Sequence, residues 1–99
     1  MSKQTYRIEL EIIADILKAV IESGMDGKYI THIVRDVNLS HNMALQKLNK
    51  LMKAGIIKTT ERERNKVFVI TENGIKFFYE LRDFNEIVQS IRLGNSIKL

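Results

Sequence analysis

The sequence predicts an α+β domain, mainly helical: a helix-turn-helix, a two-stranded β-hairpin behind it and a long closing helix. Three observations predict it. Apolar residues recur at three- and four-residue spacing in several separate stretches, the period of amphipathic helices. Between two of these stretches stands Asn38-Leu39-Ser40, a left-handed helix stop, an apolar plug and a helix cap in succession. Two β-rich runs, 56–60 and 66–70, then flank a polar segment at 61–65, the pattern of a hairpin. A hairpin that directly follows the second helix of a helix-turn-helix is a wing, so the fold class is a winged helix-turn-helix.

In chain order, residues 1–5 are polar and read as a frayed start. From about Tyr6 to Ile21 the set Ile8, Ile12, Ile13, Ile16, Leu17, Val20 and Ile21 keeps a helical period, and Ser23-Gly24 stops it. Met25-Asp26-Gly27 reads as a loop and Lys28-Tyr29-Ile30 as a short strand. Thr31 is the expected N-cap of a second helix reaching Val37, with Ile33, Val34 and Val37 inward. Ser40 caps the third helix, whose apolar stripe is Ala44, Leu45, Leu48, Leu51 and Met52, and Gly55 supplies its left-handed C-terminal stop. Thr71 caps the last helix, with Glu72 at its positive dipole end, and Gly94-Asn95-Ser96 breaks it after about Leu93. On that helix Ile75 and Phe78 are expected on the domain's own core. Phe77, Leu81, Phe84, Val88 and Ile91 follow a four-three-four-three spacing, a seam that needs a partner helix. Ninety-nine residues suit one domain over 1–99, with a core unit at 6–70 and a dimerisation helix at 71–93.

Charge is concentrated. The chain carries a net +4 and a pI of about 9.5. Residues 1–39 sum to −1 and residues 71–99 to zero, whereas residues 40–70 sum to +5. The excess therefore sits on the third helix and the hairpin. The outer face of that helix carries Ser40, His41, Asn42, Gln46, Lys47, Asn49, Lys50 and Lys53 without one acid. Amides and cations on a rigid rod are the side chains that meet base edges and phosphates in a major groove. Alone, the same face would be an ordinary solvated surface; the helix-turn-helix around it points to duplex DNA. Asn42, Gln46 and Lys47 are the base-edge candidates, Lys50 and Lys53 the phosphate candidates. Met43 either touches a thymine methyl or packs. Arg62, Arg64 and Lys66 in the hairpin and Lys28 near the second helix add cations, with Glu61 and Glu63 interleaved in the hairpin.

Other chemistries find no footing. The absence of cysteine excludes disulfides and thiolate zinc sites. His32 and Asp36, four apart on one helical face, would suit a metal or acid-base pair, but His32 reads as a hydrogen-bonded structural histidine, because no third ligand stands at a zinc-like spacing. No nucleophile, base and acid assemble, and no glycine-rich phosphate loop is present. The expectation is a protein with no cofactor, no metal, no small-molecule ligand and no enzymatic activity. Without a signal-peptide pattern or a long apolar run, it is expected in the cytoplasm, associated with the nucleoid.

These residues resemble a known family. Thr31-His32-Ile33, Asn38-Leu39-Ser40, Leu48 with Leu51, Gly55-Ile56-Ile57 and Thr71-Glu72-Asn73-Gly74-Ile75-Lys76-Phe77-Phe78 look like the small archaeal winged-helix DNA-binding proteins. These are the crenarchaeal ten-kilodalton chromatin-type family and its relatives among transcriptional regulators. The resemblance covers roughly residues 8–90. It implies a homodimer joined by an antiparallel coiled coil of the last helices, with double-stranded DNA as partner. The competing reading is a winged helix used as a protein-interaction module without DNA binding.

Overall fold

The computed structural model describes residues 9–93. Helix α1 (Glu9–Glu22) leads through a 3-10 turn (Gly24–Asp26) to α2 (Ile30–Val37) and α3 (His41–Lys53). Strands β1 (Ile57–Arg62) and β2 (Asn65–Ile70) form the hairpin, and α4 (Glu72–Arg92) closes the chain. The expected helical turn at Tyr6–Ile8 and the Gly94-Asn95-Ser96 stop lie outside the described residues.

One core joins all the elements. Ile16, Leu17 and Val20 of α1 meet Ile33 and Val37 of α2, Leu48 and Leu51 of α3, and Ile57 and Phe68 of the hairpin. Each of these large side chains contributes about 1.5–3 kcal/mol by leaving water, which is what orients α3. The helix-turn-helix is closed as its sequence requires. Asn38 adopts φ 60° and ψ 50° at the end of α2, and its N–H donates to the Val34 carbonyl. Leu39 packs against the core, and the Ser40 hydroxyl accepts from the Met43 N–H at 3.1 Å. Gly55, at φ 76°, turns the chain out of α3.

The start of α2 departs from expectation. The stretch Lys28-Tyr29-Ile30 is not a strand: Lys28 alone bridges Phe68, with both N–H···O contacts at 2.9 Å. That bridge fixes an extended Tyr29 as the N-cap residue, without a side-chain bond, so α2 starts at Ile30 and Thr31 sits inside its first turn. The loop at Met25 is also more regular than its polar composition suggests, being part of the 3-10 turn.

The hairpin is tighter than the sequence suggests. Its ladder runs from Ile57 opposite Ile70 to Arg62 opposite Asn65, leaving a two-residue tip, Glu63-Arg64, where a five-residue turn was expected. Both tip residues have positive φ, 52° and 70°, the geometry that matches the twist of the strands. Without glycine this costs about 1 kcal/mol or more per residue. The Asn65 side-chain amide partly offsets it by donating to the Glu63 carbonyl at 3.2 Å.

Helix α4 is phased by a close approach. The Thr71 hydroxyl accepts from the Gly74 N–H at 3.0 Å and donates to the Gly55 carbonyl at 2.6 Å. Gly74 rests on the Ile56 carbonyl, where a side-chain carbon would collide with backbone. This contact turns Gly74, Phe77, Phe78 and Leu81 inward and Ile75 outward, so Ile75 does not join the core as expected. Farther along, Arg92 pairs with Glu11 at 3.9 Å, so α4 runs antiparallel to α1. Among the described residues, no helix is long and apolar enough to cross a membrane.

Candidate nucleic-acid interface

Helix α3 offers two opposite faces because its apolar positions are spent inward. Ala44, Leu48 and Leu51 are buried. Asn42, Gln46, Asn49 and Lys53, at four-three-four spacing, form an exposed outward stripe, and Met43 and Lys50 adjoin it. The first turn contains no acid, and Lys50 and Lys53 occupy the last turn. Ser40 and His41 are exposed where the unbonded N–H groups of the helix start point outward, although the Ser40 oxygen is already engaged as the cap.

The hairpin borders this face. A crevice lined by Tyr29, Thr31, Leu45, Asn65, Lys66 and Phe68 separates α3 from the strands. Arg62, Arg64 and Lys66 are exposed along the hairpin's outer end. The Lys66 ammonium lies 5.7 Å from the centre of the Phe68 ring, which steadies that cation near the crevice. Glu61 and Lys66 are cross-strand partners, so one of the two hairpin acids faces a cation of its own sheet.

Two of the cations expected at the interface are committed elsewhere. The Lys28 ammonium pairs with Asp36 at 2.7 Å and is only 16% exposed. Its hydrogen bond, with that of Arg35, holds the Asp36 carboxyl below its ordinary range. Lys47 pairs with Glu9 at 2.8 Å and is 13% exposed, because its position on α3 points toward the start of α1 rather than outward. Lys50 shares that carboxylate at 3.3 Å but is itself 66% exposed. Hydrogen bonds from Lys47 and then Lys50 hold the Glu9 carboxyl low. Of the expected residues, the outward stripe, Lys50 and the three hairpin cations are brought to accessible positions; Lys28 and Lys47 are not. Asp36, being engaged by Lys28 and Arg35, is not paired with His32, whose ring instead meets Tyr29 edge-on at 5.6 Å. Among the described residues no group of three potential ligands gathers around a metal-sized site.

The expected seam on α4 divides in the same way. Leu81 is buried by its own chain and Phe77 packs on the core. Phe84 and Ile91 remain 50% and 62% exposed, with Val88 half-buried. Ile87, 49% exposed, lies on the same open stripe. The a/d spacing through Leu81 skips Ile87; the sequence signal for it is the three-four step from Phe84 to Ile87 to Ile91.

A family profile described as winged helix-turn-helix matches residues 6–89. The chain belongs to the winged helix-turn-helix family. No curated protein sequence matches it. Solved structures share the fold. Sso10a-2, described as a DNA-binding protein from Sulfolobus solfataricus, superposes with a TM-score of 0.77 at 24% identity, over 89% of this chain and 88% of that one. BldR, described as a transcriptional regulator from the same organism, gives 0.74 at 14% identity, over 89% and 63%. MepR, described as a transcription regulator of a Staphylococcus aureus multidrug efflux pump, gives 0.71 at 19%, over 95% and 70%. Within this winged helix-turn-helix, α3 holds the recognition position and the hairpin is the wing.

Proposed function

We propose that this chain binds duplex DNA as a homodimer and acts, by binding rather than catalysis, as a transcriptional regulator or a chromatin-associated protein. The observation that carries this reading is the outward stripe of α3: amides and cations, no acid, on a helix whose other face is locked into the core. Laid in a major groove, Asn42, Gln46 and Asn49 present donor and acceptor pairs to base edges, while Lys50 and Lys53 neutralise backbone phosphates. Arg62, Arg64 and Lys66 of the wing reach the neighbouring backbone or minor groove. Sso10a-2, a DNA-binding protein by its description, supports the reading through the shared fold.

The homodimer rests on α4. Phe84, Ile87 and Ile91 form an apolar stripe open to water, and pairing with a second copy would cover both stripes at once. Two recognition helices then read two half-sites.

A gel mobility shift with mixed-sequence duplex at micromolar protein and low salt tests the reading. A retarded complex is expected; no retardation of any duplex contradicts it. Selection of bound sequences from a random pool then separates the two roles. A recovered palindrome identifies a regulator, and the absence of a consensus identifies a chromatin-type binder.

A further inference from the structure

Glu9 at the start of α1 reaches across to the recognition helix. Glu9 opens α1, half-exposed, and its carboxylate oxygen accepts from two ammonium groups of α3, Lys47 at 2.8 Å and Lys50 at 3.3 Å. Two cations converging on one oxygen make an anion site, and here the anion comes from the chain itself. Its two arms differ. Lys47 is covered and makes the shorter contact, whereas Lys50 is open to solvent, makes the longer contact and adjoins the outward stripe. The carboxyl is held below its ordinary pKa by these same bonds, so it stays ionised at neutral pH.

We infer that Glu9 is an internal phosphate mimic: in the free protein it occupies, beside Lys50, the place that a DNA backbone phosphate takes in the complex. On binding, Lys50 transfers from carboxylate to phosphate, while Lys47 stays with Glu9 and holds the negative charge back from the groove. Glu9 thereby lowers DNA affinity and quickens release without touching a base. The inference rests on the proposed DNA binding.

Its test compares Glu9→Gln with Glu11→Gln, which removes the same charge two residues along α1 from a side chain that pairs with Arg92 and not with α3. Affinity for one mixed-sequence duplex is measured across a salt series. Relative to Glu11→Gln, Glu9→Gln is expected to bind about two- to fivefold more tightly at low salt, the scale of one partly exposed ion pair. Its plot of log affinity against log salt should run parallel to that of Glu11→Gln, because Lys50 meets the same phosphate in both. In a Lys50→Ala background the gain should vanish. Affinity equal to that of Glu11→Gln, weaker binding, or a gain that survives Lys50→Ala overturns the inference. Failure of the wild type itself to bind DNA at any salt overturns the functional reading instead, so the two failures are distinct.

Discussion

Helices α3 and α4 are both amphipathic, and they finish their apolar faces differently. In α3 the buried positions Ala44, Leu48 and Leu51 use most of the stripe up, and what remains open is polar and basic apart from Met43. In α4 the inward positions Gly74 and Leu81 are buried, but Phe84, Ile87 and Ile91 stay open to water in the second half. An open polar face on a rigid rod suits a charged, hydrogen-bonding ligand. An open apolar one suits a surface of its own kind. The difference separates two tasks that α3 and α4 carry on one small scaffold.

Substitutions can break or sharpen that contrast. The largest expected effect is on the inner face of α3. Leu48→Ala should cost about 2–5 kcal/mol, read in urea unfolding, because the cavity lies at the meeting point of α1, α2 and α3. Its neighbour Asn49→Ala should leave stability within about 0.5 kcal/mol and act on DNA affinity instead. Equal destabilisation by both would erase the two-faced reading of α3.

Next comes α4. Light scattering should report twice the 11.5 kDa chain mass for the wild type and a single chain mass for Ile87→Glu, with folding intact. A monomeric wild type would remove the role assigned to the open stripe. Within the cationic set, Lys53→Ala should weaken binding to all duplexes alike and flatten the salt slope by about 0.9. Lys28→Ala should leave that slope in place, since Asp36 already holds its ammonium.

The smallest effect is on acid stability. Asp36 has its pKa lowered in the folded state, by the Lys28 hydrogen bond first among the causes that act in that direction. Its contribution is therefore present above the unfolded carboxylate pKa and lost as pH falls through the folded one. Thermal melts should show a modest loss of stability below the ordinary carboxylate range, reduced in Asp36→Asn. A loss that begins on the alkaline side would have the wrong sign.

Local chemistry explains which parts of this molecule were legible in the sequence. Asn38, Ser40, Gly55 and Thr71 announce their roles because each meets a need of its own backbone, a left-handed turn or a free N–H, within a few residues. The amphipathic period likewise reveals α1, α3 and α4. What escaped depends on distant partners. Lys47 is identical in type to Lys50, and only the start of α1, 38 residues away in sequence, takes it out of solvent. Lys28 is diverted by Asp36 on α2, and the strand expected around it shrinks to one bridge to Phe68, with α2 starting at Ile30. The Glu63-Arg64 tip carries no glycine or asparagine, so the sequence showed the hairpin and concealed its turn. Ile75 faces out because Gly74 meets the Ile56 carbonyl, a contact that composition cannot encode.

The claim that α3 and the wing grip a nucleic-acid backbone is tested most directly by fluorescence anisotropy of a labelled duplex titrated with wild-type protein over a range of salt. The account predicts a straight fall of log affinity with log salt, losing about 0.9 per phosphate engaged, with several phosphates met by Lys50, Lys53 and the wing cations. Binding that ignores salt, or no binding in dilute buffer, would contradict it.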